Sequence, residues 1–333
     1  MGETRETIAA VVVTYNRRQL LGECVDALLG QTHPLEALYI IDNGSTDGTC
    51  EFLAGKGLIS PPERQGNQPV ETVRPGIRNP QSTIRNSAME VHYVRMPANT
   101  GSAGGFAEGM QRAAGAGFEW LWLMDDDLLA SPDALAALVR KKEELQAGGH
   151  GPFVLNSLVI ARDQPDSDVL AFPLHEITAR GHPRMSRFHW RLSDVRGRVR
   201  DGLYEWICPF NGTFVPALAV ETVGLPNREL FIHGEEREYR CRLARAFRLY
   251  TVVDSRVVHP PHRFGHFDWK QYYNIRNMFI VNGYCNLTAL RNLKLIVVSL
   301  IRGARHGRWG VKLALRGIRD GLAGRLGKRD DLP

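Results

Sequence analysis

The sequence is poor in cysteine and has no long apolar run. Its 333 residues contain five cysteines, an odd number, which are scattered and include no Cys-x-x-Cys pair. This pattern argues against a disulfide framework and against a cysteine-based zinc site. The longest later apolar run, 293–301, contains Lys294 and Ser299. It has only about half of the ~20 residues that a membrane-spanning helix needs.

The N-terminus lacks the pattern of a secretory signal. The first apolar run, 8–13, is short and ends in polar residues, whereas a signal peptide needs a longer apolar core. We therefore expect a cytoplasmic protein without a spanning segment. No internal repeat is present, so a solenoid or propeller is not expected.

Acidic residues are scarce near the end of the chain, which carries a formal charge of +6 as a whole. Residues 291–333 contain eleven Lys and Arg but only three Asp, so the basic excess belongs to this segment. The rest of the chain is close to neutral. Its charge gives no case for binding nucleic acid, and we expect no nucleic-acid partner.

The apolar pattern predicts an α/β fold. A β-branched run at 8–13 is typical of a buried parallel strand, helical spacing follows at 17–29, and another strand is expected at 37–41. This alternation predicts a mostly parallel central sheet flanked by helices. Residues 55–86 have no periodicity and predict a long surface insertion. Residues from about 267 to 333 have a helical pattern.

Polar segments follow three of the predicted strands. They are Thr14-Tyr15-Asn16-Arg17, Asp42-Asn43-Gly44-Ser45 and Asp125-Asp126-Asp127. The carboxyl ends of parallel strands meet at one edge of the sheet, where open α/β folds bind ligands. We therefore expect these segments to converge on one site.

The acidic triplet is the strongest local signal. Three adjacent carboxylates repel one another, and a divalent cation would compensate that repulsion and grip a diphosphate. The alternative is a solvated acidic turn or a helix N-terminus, where negative charge is favourable. The apolar run Trp120–Met124 places the triplet at the end of a buried strand, which favours the metal site.

Other candidates each have an ordinary structural alternative. Asp42 and Asn43 could bind a base or ribose, or form a simple Asx turn. The glycines of 99–105 could bring helix amides to a phosphate, although the segment is not a Gly-x-Gly-x-x-Gly fingerprint. Glu235 and Glu236 could supply a general base, or begin a helix favourably. His259 could ligate a metal, as could the nearby His262 and His266.

Taken in order, these segments resemble the family 2 glycosyltransferases of the GT-A fold, a Rossmann-like architecture. The resemblance spans about 8–282 and rests on segments 11–17, 41–48 and 125–127 together with Asn99 and Gly101. Within that family the chain is similar to the galactofuranosyltransferase-like and rhamnosyltransferase-like branch. The motifs of that branch lie at 99–106, 230–239, 258–259 and 272–277.

The resemblance implies an inverting sugar transfer that depends on Mn²⁺ or Mg²⁺. It implies a catalytic domain over 1–266 and a helical, basic region over 267–333. Donor-binding residues are expected among Thr14, Tyr15, Arg17, Asp42, Asn43, Asn99, Gly104, Gly105, Asp125 and Asp126. The expected metal ligands are Asp125, Asp127 and His259.

The resemblance also implies the base and the acceptor site. The second residue of an acidic pair is the base in the family, which points to Glu236 here. Because this pair is Glu-Glu rather than Asp-Asp or Glu-Asp, the role could pass to Glu235. Acceptor contacts are expected from Trp206, Phe210 and Asn211. Trp206 could stack on a sugar, with a core tryptophan as the alternative.

Several functions remain open from the sequence. The favoured donor is UDP-galactofuranose, the alternative is dTDP-rhamnose, and the acceptor would be a glycan or a lipid-linked glycan. A non-catalytic sugar-nucleotide or glycan-binding scaffold is the alternative from another class. The Gln-x-x-Arg-Trp signature of processive synthases is only echoed at 305–309, so a membrane-embedded polymer synthase is not expected.

The last predicted helix is amphipathic and basic. Its apolar stripe is Val311, Leu315, Ile318 and Leu322, and Lys312, Arg316 and Arg319 lie off that stripe. Such a helix could lie on the anionic inner face of a cell membrane. The alternative is a helix packed on the core or on a second subunit of a homo-oligomer.

Overall fold

The structure is a computed structural model that describes residues 6–62, 67–78, 88–165, 167–260 and 267–332. Its strands are β1 (Ile8–Thr14), β2 (Ala37–Asp42), β3 (Val70–Arg78), β4 (Ala88–Arg95), β5 (Trp120–Asp125), β6 (Leu129–Ala130), β7 (Phe153–Ala161), β8 (Val169–Ile177), β9 (Pro183–Arg191), β10 (Leu203–Tyr204), β11 (Asn211–Pro216) and β12 (Arg248–His259). Its helices are α1 (Arg18–Leu29), α2 (Thr49–Gly55), α3 (Gly101–Gly115), α4 (Ala134–Ala147), α5 (Leu218–Val223), α6 (Glu235–Leu243), α7 (Lys270–Gly283), α8 (Thr288–Ala304) and α9 (Gly307–Leu322).

One mixed sheet organises the chain, in the order β10-β12-β7-β11-β5-β1-β2-β4-β3. Strands β5, β1, β2 and β4 are parallel, as the sequence predicts, and β7 and β12 form another parallel pair. Strand β11 runs antiparallel between β5 and β7 and joins the two parallel parts. The sheet is therefore parallel at its centre and mixed toward its edges.

The two faces of the central strands form separate cores because side chains alternate along a strand. Ile8, Ala10 and Val12 of β1 face the core that α1, α2 and α4 cover. Ala9 and Val11 face the opposite core, which α3 covers. The near-continuous apolar runs that predicted these strands thus reflect burial on both faces.

Two stretches that lacked a clear pattern contain strands. Strand β3 lies inside the predicted insertion 55–86 and pairs antiparallel with β4 at the sheet edge. The prediction of an unstructured insertion is therefore wrong for 70–78, whereas 63–66 and 79–87 lie outside the described residues. Strands β8 and β9 form a hairpin within 162–201. Strands near the edge of a sheet tolerate many charged side chains. These charges obscure the alternation of apolar and polar residues by which a strand is recognised in the sequence.

The C-terminal region is helical, as predicted, and α9 packs on α7. Ile318 and Ala314 of α9 meet Ile275 and Phe279 of α7 in one apolar cluster. This contact buries Ile318 of the predicted stripe inside the chain, whereas Leu315 and Leu322 of the same stripe are 51% and 64% exposed. Contact of this helix with a membrane stays a prediction. Among the helices described, none combines the length and the apolar character needed to cross a bilayer.

Close packing of α3 on the sheet requires glycine, and Gly109→Ala tests this requirement. A Cβ at this position would overlap Val11 Cγ1 and lie 3.0 Å from Ile41 Cγ1. We expect the free energy of unfolding to fall by about 1–3 kcal/mol, measured by urea denaturation. Gly115→Ala is the matched control, since its Cβ would meet nothing within 4 Å. Equal stability of the two variants would contradict the packing argument.

Candidate active site at the carboxyl ends of the parallel strands

The three polar segments converge as the sequence predicts. Thr14 at the end of β1 is in register with Asp42 of β2, and Val13 is in register with Asp125 of β5. Hydrogen bonds then join the following loops, because Asn16 Oδ1 accepts from the Thr46 amide at 2.7 Å. The strand ends therefore form one continuous polar edge.

Arg17 and Thr14 hold the acidic triplet. Arg17 Nη1 lies 3.2 Å from Asp126 Oδ1 and 2.8 Å from Asp127 Oδ2. Thr14 Oγ1 donates to Asp126 Oδ2 at 2.7 Å. Arg17 thus provides part of the positive charge that offsets the repulsion between the carboxylates, a role that the sequence predicts for a cation. The Arg17 side chain remains about half exposed, so its guanidinium can contact a ligand in addition to the triplet.

The buried carboxylates of the triplet have unusual pKa values. Burial raises the pKa of Asp126 to about 6, even though Arg17 and Thr14 oppose the shift. Burial, followed by repulsion from Asp127 and Asp126, raises the pKa of Asp125 well above its ordinary value. Perturbed carboxylates of this kind concentrate at functional sites.

His259 lies beside Asp127 because of a short strand pairing. Strand β6, just after the triplet, pairs antiparallel with the end of β12, and Leu129 is in register with Val258. His259 Nε2 therefore lies 3.3 Å from Asp127 Oδ1. His262 and His266, the two other histidines considered, lie outside the described residues.

The Asp127–His259 contact calls for a cation or a proton between its two atoms. His259 Nδ1 lies 2.5 Å from the carbonyl oxygen of Pro260, a partner that requires the ring proton on Nδ1. In the neutral ring, Nε2 then presents a lone pair to Asp127 Oδ1. That oxygen is buried and accepts no hydrogen bond from the residues that the structure describes. An unsatisfied buried oxygen is costly, and a divalent cation bound by both atoms would remove the conflict.

The predicted three-residue metal shell does not form. Within the described ranges, no three Asp, Glu, His or Cys side chains are grouped closely enough to hold a metal ion. Asp127 and His259 are the two predicted ligands whose side chains are in contact. A two-residue site still suits Mg²⁺ or Mn²⁺, which retain waters and take phosphate oxygens as ligands.

Asp42 and Asn43 organise the loop after β2. Asp42 is fully buried, and its carboxylate accepts from the Ser45 amide at 2.7 Å and from the Tyr93 hydroxyl at 2.5 Å. Asn43 accepts from Thr100 Oγ1 at 2.8 Å and donates to the Gly101 carbonyl at 3.1 Å. Direct contact of either residue with a base stays a prediction. Tyr15, the neighbouring candidate, is 42% exposed.

The glycines at the start of α3 have a packing explanation. A Cβ on Gly104 would overlap Thr100, and a Cβ on Gly105 would overlap Val13. Asn99 Oδ1 accepts from the Gly101 amide at 2.8 Å and so fixes the turn into the helix. The close approach that requires glycine is within the first turn of α3 at Gly104 and between helix and sheet at Gly105. Contact of these residues with a donor phosphate stays a prediction.

The acidic pair begins α6, as predicted, and its two members differ. Glu235 is buried and accepts from Ser102 Oγ, and its other oxygen has no partner among the described residues. Burial and repulsion from Glu236 raise the pKa of Glu235 well above its ordinary value. Glu236 is about one-quarter exposed and accepts from the Gly234 amide at 2.8 Å. Glu235 accepts from Ser102, and the carbonyl of the neighbouring Gly101 accepts from Asn43, which follows β2, so the acidic pair lies beside the strand ends.

Sequence reasoning missed the residue that positions this pair. Asn277 Nδ2 of α7 donates to the carbonyls of Leu230, Ile232 and His233 at 2.9, 3.1 and 2.6 Å. These carbonyls belong to the loop that leads into α6. The available signal was the place of Asn277 in the segment 272–277, which carries the resemblance to the branch but to which no role was assigned. The structure shows why an asparagine is tolerated within this helix, since its buried side chain has hydrogen-bond partners.

The three predicted acceptor residues are core residues in the structure. Trp206 is 8% exposed and is covered by the Arg240 guanidinium at 3.9 Å and by a stacked His175 ring. Phe210 is buried and stacks on Phe106. The prediction that their side chains contact an acceptor is therefore wrong, because neither ring has an open face. The core alternative for Trp206 is the correct one.

Phe210 and Asn211 instead support the site from below. The Phe210 carbonyl accepts from the Asp125 amide at 3.1 Å, with a positive φ of 70° at Phe210. Asn211 is buried and donates to the Pro209 carbonyl at 3.1 Å, while its Oδ1 has no partner. Asn211 is thus also not an exposed acceptor contact. This strained turn fixes where β5 ends and where the triplet begins.

The architecture is that of the GT-A glycosyltransferases. S. aureus TarS 1–349 in complex with UDP-GlcNAc matches 95% of this chain and 80% of that chain with a TM-score of 0.54 at 12% identity. The mannosyltransferase PcManGT from Pyrobaculum calidifontis, in complex with GDP-Man and Mn²⁺, matches 96% and 76% with a TM-score of 0.52 at 15% identity. At these identities the likeness concerns the fold.

Sequence comparison identifies the family. Residues 9–57 and 75–168 match the family called Glycosyl transferase family 2. Galactofuranosyltransferase GlfT1 of Mycobacterium tuberculosis is 32% identical over 259 residues, which are 77% of this chain and 70% of that protein. The Mycolicibacterium smegmatis GlfT1 is 30% identical over 260 residues, 77% and 71% of the two chains. The chain belongs to glycosyltransferase family 2, in its galactofuranosyltransferase-like branch, and is an enzyme.

Arg17→Gln should destabilise the protein more at high pH than at low pH. The folded pKa of Asp126, about 6, lies above the unfolded value of about 3.9. The stability linked to the Asp126 carboxyl is therefore fully present below its unfolded pKa and is lost as the pH rises through its folded pKa of about 6. Without Arg17 the folded pKa rises further, so the loss continues to higher pH. In urea unfolding with EDTA, we expect an added loss of about 1–3 kcal/mol near pH 8 and less near pH 5.

The matched control for this experiment is Arg18→Gln. Arg18 lies next to Arg17, is exposed, and donates to the Asp47 carbonyl rather than to the triplet. We expect its stability loss to be the same at both pH values. A pH-independent loss in Arg17→Gln as well would contradict the role assigned to Arg17.

Asn277→Ala should lower kcat by at least about tenfold while nucleotide affinity stays the same. The variant leaves three loop carbonyls without a donor, which loosens the loop that carries Glu236 but does not touch the strand ends. Turnover and calorimetric nucleotide binding would be measured together. Asn274→Ala, one turn away on α7 with a single bond to Gln271, is the control. A parallel loss of nucleotide binding would contradict the assignment.

Proposed function

We propose that this enzyme transfers galactofuranose, with inversion, from a nucleoside diphosphate donor to a hydroxyl of a glycan or lipid-linked glycan, with a divalent metal. The single observation that carries the proposal is the meeting of two acidic groups at one edge of the sheet. The triplet that begins at Asp125 follows a buried strand, and the acidic pair begins a helix that Ser102 at the start of α3 joins to the same edge of the sheet. Sugar transfer needs one acidic group to bind the metal of the diphosphate and a second to act as base toward the acceptor hydroxyl, so the two must lie close together.

Glu236 is the base in this proposal, and Glu235 is not. A base must be deprotonated and must reach the acceptor hydroxyl. Burial, followed by repulsion from Glu236, raises the pKa of Glu235 and so disfavours the deprotonated form that a base needs. Glu236 is partly exposed, and the Gly234 amide holds one of its oxygens. This difference between the two residues supports Glu236 as the base.

The reaction is a single displacement. Glu236 takes the proton of the acceptor hydroxyl, the oxygen attacks the anomeric carbon, and the bond to the diphosphate oxygen breaks on the opposite side. The anomeric configuration is therefore inverted. Arg17, which remains half exposed beside the triplet, is placed to pair with the departing diphosphate.

Asp127 and His259 would hold the metal. The support is the buried, unsatisfied Asp127 Oδ1 at 3.3 Å from His259 Nε2. When bound, Mn²⁺ or Mg²⁺ supplies positive charge that stabilises the diphosphate as a leaving group. With two protein ligands, the metal shell is completed by water and by donor oxygens.

The choice of galactofuranose rests on the relatives. Galactofuranosyltransferase GlfT1 from two mycobacteria covers most of this chain at 30–32% identity, and dTDP-rhamnose remains the alternative donor. A cytoplasmic location and a homo-oligomeric state stay predictions from the sequence. The experiment is turnover with UDP-galactofuranose and with dTDP-rhamnose, each with Mn²⁺, Mg²⁺ or EDTA, and NMR of the product anomer. Transfer of rhamnose alone, or retention of configuration, would overturn the proposal.

Glu236→Gln should abolish transfer and leave donor binding unchanged. The amide keeps the size of the carboxylate but cannot take a proton, so we expect a loss of about 10²–10⁴ in kcat. Asp127→Ala should instead weaken both metal-dependent donor binding and transfer. Calorimetry with UDP and Mn²⁺ measures the binding of both variants. Full turnover by Glu236→Gln would show that the base lies elsewhere.

A further inference from the structure

Helix α8 exposes an apolar face to solvent. The side chains of Leu290, Leu293, Val297, Val298 and Ile301 are 41–58% exposed and recur at helical spacing. We call these five residues the α8 apolar face. The opposite side of α8 packs on α7 and α9 through residues that include Leu295, Ile296 and Leu300. Contiguous apolar patches of this kind mark interaction sites.

The charged residues of the same segment of the chain are basic. No Asp or Glu occurs between Asp268 and Asp320, whereas 288–319 contain eight Lys and Arg. Lys294 lies within the exposed side of α8, and Arg305 and Arg308 are exposed in the turn that follows it. The surface therefore combines exposed aliphatic side chains with uncompensated positive charge.

We propose that the α8 apolar face binds the surface of an anionic lipid bilayer, with the helix axis in the membrane plane. Amphipathic helices of this composition insert their apolar side at the headgroup boundary while Lys and Arg contact anionic lipids. Trp309, 51% exposed beside the basic turn, adds an aromatic residue of the kind enriched at that boundary. The helix does not span the bilayer.

A second copy of the chain fits this surface less well. A two-fold interface places the same patch on both subunits. Lys294, Arg305 and Arg308 would then face positively charged counterparts without any acidic partner from this region. Like charges brought together disfavour association, whereas an anionic bilayer supplies the complementary charge.

The turn at the end of the proposed membrane surface packs on an aromatic ring. It stacks His306 on Phe267 at 4.8 Å, and Trp309 meets the same ring edge-on at 6.0 Å. The inference stands whichever sugar is transferred.

The test is cosedimentation of the full chain with lipid vesicles. The vesicles are phosphatidylcholine alone, or phosphatidylcholine with about one-third phosphatidylglycerol. We expect binding to the anionic vesicles that weakens with salt, and at least about tenfold weaker binding for Leu293→Glu/Val297→Glu. Leu218→Glu is the matched control, because Leu218 on α5 is 52% exposed and apolar but lies outside the surface. Thermal unfolding establishes that all variants are folded.

The outcomes separate the possible occupants of the surface. Loss of vesicle binding in the α8 variant and its retention in the control would support the proposal. Equal vesicle binding by both variants, or no binding by the unaltered chain, would overturn it. A dimer in light scattering that only the α8 variant dissociates, without vesicle binding, would also overturn it and assign the surface to self-association. A variant that does not fold is replaced by Arg305→Glu/Arg308→Glu, for which the same outcomes hold.

Discussion

The constraint on which the site depends is the burial of three adjacent carboxylates at the end of an apolar strand. Desolvation and mutual repulsion raise the pKa values of Asp125 and Asp126. Specific hydrogen bonds and ion pairs partly oppose this effect. Arg17 reaches back from the start of α1 to two of the carboxylates, and Thr14 bonds one of them. The remaining conflict, between Asp127 Oδ1 and His259 Nε2, is the place where a cation fits.

The rest of the structure serves to place a second acidic group opposite the first. Strand β6 brings β12 and His259 to the triplet. Helix α7 holds the loop before α6 through Asn277, and the positive φ of Gly234, 94°, turns the chain into the helix that begins with Glu235. The helical C-terminal region is thus part of the catalytic architecture. It also carries the exposed apolar and basic surface of α8.

The site was predictable where local pattern and topology determine it. Apolar runs fix the parallel strands, and parallel strands bring Thr14, Asp42 and Asp125 together. The mistaken residues were those whose role depends on burial. Trp206 and Phe210 resemble ligand-stacking aromatics in sequence, but their faces are covered by residues far along the chain. Asn277 and Arg17 contact residues that lie 44 and 110 positions away in the sequence, and no local pattern reveals such contacts.

The central claim is that the chain supplies only part of a metal site and that the donor supplies the rest. Electron paramagnetic resonance of Mn²⁺ titrated into the protein, with and without UDP, tests it most directly. A site with two protein ligands should bind Mn²⁺ weakly on its own, and its affinity for Mn²⁺ should rise at least about tenfold when UDP is present. His259→Ala should remove most of that gain. Tight Mn²⁺ binding without nucleotide, or no effect of UDP, would contradict the account.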